Sequence, residues 1–95
     1  REHLKQEAVR AALDAARQAM QAGKALITLQ ACQRALILEP WQEEAVLLGM
    51  QACMALNDRS GALRLYRKLE RNLREELDVA PQEAVQAYYR SLISP

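Results

Sequence analysis

The chain has 95 residues and a mass of 10.7 kDa, which is enough for one small domain and too little for two. Of these residues 51% are apolar and 26% are charged, and the net charge is +1. The composition therefore argues against both a disordered chain and a strongly basic nucleic-acid-binding domain. Glycine and aromatic residues are scarce and phenylalanine is absent, which favours helices over a β-sheet.

Apolar residues recur at intervals of three and four, and this spacing predicts five helices. Their expected bounds are 4–22, 24–38, 41–56, 61–77 and 82–93. Gly23 and Asn57 fit the left-handed backbone that closes a helix, Pro40 ends the second helix, and Pro81 suits the first position of the last helix. The turns between the helices are short, and no stretch resembles a flexible linker.

The fourth predicted helix has the clearest amphipathic pattern. Its apolar stripe consists of Ala62, Leu65, Tyr66, Leu69, Leu73 and Leu77. A basic stripe on the opposite side consists of Arg64, Arg67, Lys68, Arg71 and Arg74. The basic stripe could bind phosphate or an acidic partner. The simpler interpretation is a solvated helix face, in which Glu70 and Glu75 offset part of the charge.

A weak repeat with a period of 34 residues runs through the chain. It aligns Gly23 with Asn57 and Ala35 with Leu69. This is the length of a tetratricopeptide unit, an antiparallel helix pair that buries its apolar face by stacking on its neighbours. We therefore expect an all-α fold of two antiparallel helix hairpins and a C-terminal capping helix. The second unit departs from the pattern, because Arg74 stands where the closing proline would be.

The chain also has a distinctive ending, which reads GALRLYRKLERNLREELDVAP and then YYRSLI after a short gap. Its most informative residues are Ala62, Leu63, Arg64, Leu65, Tyr66, Leu69, Leu73, Glu75, Glu76, Leu77, Val79, Pro81, Tyr89, Leu92 and Ile93. This ending resembles the C-terminal half of the bacterial transcriptional activator domain. The earlier stretch RALILEPWQEEA is similar to the preceding helix pair of that family. Asp78 replaces the usual glycine, and Ala84 replaces a common acidic residue.

This resemblance implies a helical, tetratricopeptide-like domain that makes no DNA contact itself. In regulators of the Streptomyces antibiotic regulatory protein type, the domain follows a winged-helix DNA-binding domain. There it is thought to support self-association, to hold the DNA-binding domain or to receive a signal. Residues 1–95 are then expected to be a single domain within a longer regulator, and the chain begins with Arg1 rather than Met.

Tetratricopeptide proteins hold peptides on the concave surface formed by the first helix of each pair, and the resemblance therefore implies a candidate groove. The corresponding residues are Arg10, Leu13, Arg17, Met20, Glu44, Leu47, Gln51 and Met54, with Val85, Tyr88 and Tyr89 continuing or capping the wall. The alternative is that Met20, Leu47 and Tyr88 are core residues, since apolar helical stripes are usually packing positions.

The remaining candidate residues indicate packing rather than chemistry. Cys32 and Cys53 have no metal-binding or disulfide-framework spacing. We expect them to be buried thiols on facing helices, in a reducing cytoplasm. Trp41 is expected to pack over the end of the preceding helix, with an exposed contact as the alternative. His3 is the only histidine and lies near the terminus, so no catalytic set, metal site or cofactor is expected.

The leading functional hypothesis is a non-catalytic interaction module of a cytoplasmic bacterial transcription regulator. Its expected partners are proteins: a second copy of the regulator, as in a homodimer, or the DNA-binding or signalling domains of the same regulator. No direct nucleic-acid or membrane partner is expected. The first alternative is a peptide-binding adaptor unrelated to transcription. The second is direct nucleic-acid binding through the basic stripe, and an enzymatic role ranks last.

Overall fold

The computed structural model describes residues 2–95, and this part of the chain is helical without strands. Its helices are α1 (Glu2–Gln21), α2 (Ala25–Leu38), α3 (Glu43–Ala55), α4 (Arg59–Leu77) and α5 (Glu83–Ile93). The all-α prediction and the number of helices are confirmed for these residues. None of the helices is both long enough and apolar enough to cross a membrane.

The turn that joins α1 to α2 and the turn that joins α3 to α4 have the same backbone geometry. Gly23 and Asn57, which are 34 residues apart, both have positive φ, at 72° and 59°. In the first turn Lys24 N donates to Ala19 O at 2.9 Å, and in the second Asp58 N donates to Cys53 O at 2.8 Å. Both pairings are the six-to-one bond of a Schellman motif. The repeat predicted from sequence is therefore present in the backbone.

Three helices begin two residues away from their predicted starts, and one of these is α1, which begins at Glu2 where residue 4 was expected. The third helix was expected from 41, but α3 begins at Glu43, because the Gln42 side chain caps it by accepting from Glu44 N at 3.1 Å. The fourth was expected from 61, but α4 begins at Arg59, because the Asp58 carboxylate accepts from Gly61 N at 2.9 Å. Side-chain caps therefore set the starts of α3 and α4.

The end of α4 explains a departure from the family pattern. Asp78 has φ of 53° and occupies the left-handed position that terminates the helix. Glycine is the residue best suited to this conformation, and Asp is among the few others that adopt it readily. The replacement of glycine at this position therefore keeps the turn that leads to α5.

The helices stack in chain order. α1 and α2 form one hairpin, α3 packs against both of them, α4 packs against α3, and α5 packs against α3 and α4. The molecule measures 45 × 35 × 18 Å, so its short dimension is about two helices thick. α2 and α4 both contact α3, but no Cα atoms of α2 and α4 come within 8 Å of each other.

Two clusters of buried side chains form the core. The N-terminal cluster consists of Val9, Ala12, Leu13, Ala16, Ala31, Cys32, Ala35 and Ala45. The C-terminal cluster consists of Val46, Met50, Cys53, Ala62, Tyr66, Leu69, Leu73, Val85 and Leu92. Because α3 contributes to both clusters, it joins the two hairpins into one stack.

Candidate functional site

The predicted groove residues lie on α1, α3 and α5, and both α1 and α5 pack against α3. They differ in exposure. Leu13 is a core residue, and Arg10 and Arg17 are exposed. The half-buried members are Met20, Glu44, Leu47, Gln51, Met54, Tyr88 and Tyr89. We call the surface formed by these half-buried residues and Arg17 the α1/α3/α5 face.

The sequence left open whether the apolar members of this face line a groove or belong to the core. Leu47, Met54 and Tyr88 pack against the C-terminal cluster, yet each keeps part of its surface exposed. Burial raises the pKa of the Tyr88 hydroxyl. These side chains therefore support the core and contribute to the surface at the same time.

The two charged members of the face bind each other. Arg17 Nε donates to Glu44 Oε2 at 2.5 Å, and its Nη2 donates to Glu44 Oε1 at 2.6 Å. Arg17 Nη1 also donates to Asp14 Oδ1 at 2.7 Å. The hydrogen bond from Arg17 lowers the pKa of Glu44, and the same bond raises the pKa of Arg17. This paired fork ties α1 to α3, so neither charge needs a counter-ion from a partner.

The last helix is fastened to the stack by contacts at both ends. The ring of Tyr89 stacks on Tyr66 of α4, with centroids 3.9 Å apart and planes 7° from parallel. At the start of α5, Gln82 N donates to Glu43 Oε1 at 2.7 Å. Val85 and Leu92 are buried in the C-terminal cluster. α5 therefore caps the second hairpin, and Tyr89 packs against α4 through its ring.

The basic stripe of α4 is exposed along its whole length. Among residues 2–95, none of its five side chains takes part in an ion pair within 4.0 Å. Glu70 and Glu75 therefore offset its charge only at a distance. On the opposite side of α4 the predicted apolar stripe is buried at Ala62, Tyr66, Leu69 and Leu73. Leu77 was included in that stripe but is 59% exposed, because the last turn of α4 extends past the core.

The two cysteines are buried, and Trp41 is partly covered. Both thiols are free and buried, on α2 and α3, as predicted. Burial raises the pKa of Cys32 to about 12. Trp41 lies in the turn before α3 and is 42% exposed, so more than half of its surface is covered. Within residues 2–95, no three His, Cys, Asp or Glu side chains are grouped to hold a metal ion.

Gly49 is a close-packing position that was not identified from the sequence. It lies inside α3, where an added Cβ would be 3.0 Å from Leu65 Cδ1 and 3.5 Å from Cys32 Cβ. The absence of a side chain therefore lets α2 and α4 approach α3 from two sides. The available signal was a lone glycine within a helical pattern, which costs helix stability and so indicates a packing reason.

Comparison with known proteins identifies the family of the chain. The model of the bacterial transcriptional activator domain matches residues 1–93. Searches of the curated proteins and of the solved structures returned no significant match. The family match covers almost the entire chain, and the helix pairs and extended ending that suggested it are present in the fold. The chain belongs to the bacterial transcriptional activator domain family, whose members are domains of transcription regulators.

Proposed function

We propose that this chain is a non-catalytic interaction module, a single domain within a longer regulator, and that its α1/α3/α5 face mediates self-association or contacts the regulator's DNA-binding or signalling domains. The observation that carries the proposal is that four predicted groove residues, Met20, Leu47, Met54 and Tyr88, are apolar and half-buried, on α3 and on two helices, α1 and α5, that both pack against it. Such side chains can lose further exposed area when a second protein covers them.

The chemistry of the face supports protein contact. Methionine is flexible and polarisable and adapts to differently shaped partners, while tyrosine gives a large contact area with a polar end. The paired Arg17 and Glu44 side chains already satisfy each other. A partner therefore does not need to supply an opposite charge at this position.

The described residues also favour a role without chemistry. His3 is exposed in the first turn of α1, and its Nε2 lies 3.3 Å from Glu7 Oε2. The two thiols are buried, and the raised pKa of each keeps it protonated at neutral pH, so neither thiol is suited to act as a nucleophile. We infer that regulation proceeds through surface complementarity, with no cofactor.

The test is a charge introduced into the face of the intact regulator that contains this domain. Met54→Glu places a carboxylate among apolar contacts, and we expect at least a tenfold weaker self-association or domain contact by analytical ultracentrifugation, together with reduced promoter activation. Leu77→Glu is the matched control, because Leu77 is exposed and lies at the end of α4. If the Met54→Glu regulator folds, associates and activates like the parent, this proposal is wrong.

A peptide-binding role is the second candidate, because the same face is formed by the first helix of each pair. Alanine at Leu47, Gln51 and Met54 separates the two functions. Loss of a bound peptide with intact self-association favours the adaptor, whereas loss of self-association with no peptide ligand favours the regulatory module.

A further inference from the structure

A groove runs between α2 and α4, on residues that the α1/α3/α5 face does not use. It consists of two neighbouring open clefts of about 360 and 320 Å³, whose linings share Gln33, Leu65 and Lys68. The groove exists because α2 and α4 both pack on α3 without approaching each other. Along α4 it extends from Gly61 to Leu69, about 12 Å at 1.5 Å per residue.

The groove has an apolar floor and an exposed apolar lip. Val46 of α3 and Leu69 of α4 are buried beneath it, and Leu36 and Leu65 line its sides half-buried. At the lip, Ile37 is 81% exposed, more than any other large apolar side chain in residues 2–95. An isoleucine this exposed beside an apolar cleft provides a contact that only an apolar partner can use.

The charge around the groove is positive and is not neutralised by the chain itself. Arg64 and Lys68 line it, and Arg34 lies one turn from Ile37 on α2. None of these three forms an ion pair with another residue of the described range 2–95. The one carboxylate in the lining, Asp58, accepts the capping hydrogen bond from Gly61 N. α2 contributes no acidic side chain.

We propose that the α2/α4 groove docks an acidic amphipathic helix of a partner protein. The floor and Ile37 would take apolar side chains at every third or fourth position of that helix, and the three cations would face its acidic flanks. About 12 Å of groove accommodates roughly two turns of helix. The apolar lip favours a protein helix over nucleic acid, which has no apolar side chains to cover Ile37. This docking site is separate from the proposed self-association face and does not depend on it.

The test uses a fluorescein-labelled, 15-residue synthetic helix with leucines at positions spaced three and four apart and glutamates on both flanks. Fluorescence anisotropy with the 95-residue chain should show binding that weakens with added salt. A peptide with lysine flanks, and one with serine in place of leucine, should not bind. We expect Lys68→Glu and Ile37→Ser to weaken binding by about tenfold each. Both residues are exposed, so circular dichroism should show an unchanged fold.

Arg67→Glu is the matched control, because Arg67 belongs to the same basic stripe but does not line the groove. It changes the net charge as much as Lys68→Glu does, and it should leave peptide affinity within about twofold. Met54→Glu should also leave the peptide bound, which distinguishes failure of this proposal from failure of the proposed function.

Several results would overturn the proposal. The first is a failure of the peptide test, either as no binding of the acidic helix by the unaltered chain or as equal loss in the Arg67→Glu and Lys68→Glu variants. The second is tight binding of a duplex oligonucleotide that both charge variants weaken equally, which would make the stripe a nucleic-acid surface. The third is self-association of the chain that Ile37→Ser abolishes, which would make a second copy the occupant.

Discussion

The two hairpins have the same topology but are packed with side chains of different size. The N-terminal cluster contains five alanines, and the C-terminal cluster contains leucine, methionine and tyrosine instead. Small side chains let α1 and α2 approach along much of their length. In the second hairpin α5 covers α3 and α4 from one side, and larger side chains fill the space between the three helices. One backbone plan is therefore stabilised in two ways.

The comparison is sharpest at positions that the 34-residue repeat makes equivalent. In several equivalent pairs both residues are buried, at 7% exposure or less, and the smaller side chain is in the first unit. These pairs include Ala16 with Met50, Ala19 with Cys53, Cys32 with Tyr66, and Ala35 with Leu69, whereas Thr28 with Ala62, both fully buried, has the reverse order. Burial is therefore conserved within the chain by the repeat, whereas volume is adjusted to the neighbouring helix. Exchanging volumes between the units tests this directly.

The largest effect should come from removing volume in the second unit. Leu69 is 1% exposed and contacts the C-terminal cluster from α4. Leu69→Ala leaves a cavity in a region held apart by large side chains, and we expect a loss of about 2–5 kcal/mol in the free energy of unfolding by urea denaturation.

Leu77→Ala provides the control for that loss. Leu77 lies on the same helix and has the same side chain, but it is 59% exposed. We expect a change within about 0.5 kcal/mol. Equal losses for the two variants would show that α4 contributes through helix propensity and not through the buried cluster.

A smaller loss should follow from adding volume in the first unit. Ala35 has no exposed surface and lies in the N-terminal cluster. Ala35→Leu introduces at this position the residue that the repeat uses at 69, and overpacking should cost about 1–3 kcal/mol. Thermal unfolding of this variant beside Ala11→Leu, at an exposed alanine of α1, measures the packing contribution alone. A stabilised Ala35→Leu variant would mean that the first hairpin contains unfilled space.

The helices themselves could be predicted from sequence, because the turns contain residues that end a helix, either by tolerating positive φ or, for proline, by a fixed φ. Gly23 and Asn57 have the left-handed conformation expected of them, and Pro40 follows the end of α2. The predicted start of α3 was wrong because Trp41 fits an apolar helical pattern, whereas the cap is made by the side chain of Gln42. Periodicity detects which residues face inward but does not detect a cap that depends on one side-chain rotamer.

The surfaces were less accessible to sequence reasoning than the helices. The Arg17–Glu44 pair joins residues 27 apart, and the Glu43–Gln82 bond joins residues 39 apart. Both depend on how far one helix slides along the next, which no local pattern encodes. The α2/α4 groove depends on a gap between helices, and periodicity assigns Leu36 and Leu65 to inward faces without showing that no helix fills the space between them.

The smallest effect concerns the ion pair between α1 and α3, and its size depends on pH. The hydrogen bond from Arg17 lowers the pKa of Glu44 in the folded chain, while an unfolded glutamate has a pKa of about 4.3. The unfolded chain therefore binds more protons near pH 4. The stabilisation from this pair is complete above the unfolded pKa and is lost as the pH falls through the folded pKa.

Glu44→Gln should therefore lower the urea midpoint slightly at pH 7, and the difference from the parent chain should shrink as the pH falls below about 4. Urea denaturation at pH 7, 5, 4 and 3 measures this convergence. Glu75→Gln is the control, because Glu75 is exposed and makes no ion pair within residues 2–95. If the difference in urea midpoint between the parent and Glu44→Gln chains were the same at every pH, the charge of Glu44 would not contribute to stability. The link between α1 and α3 would then rest on packing.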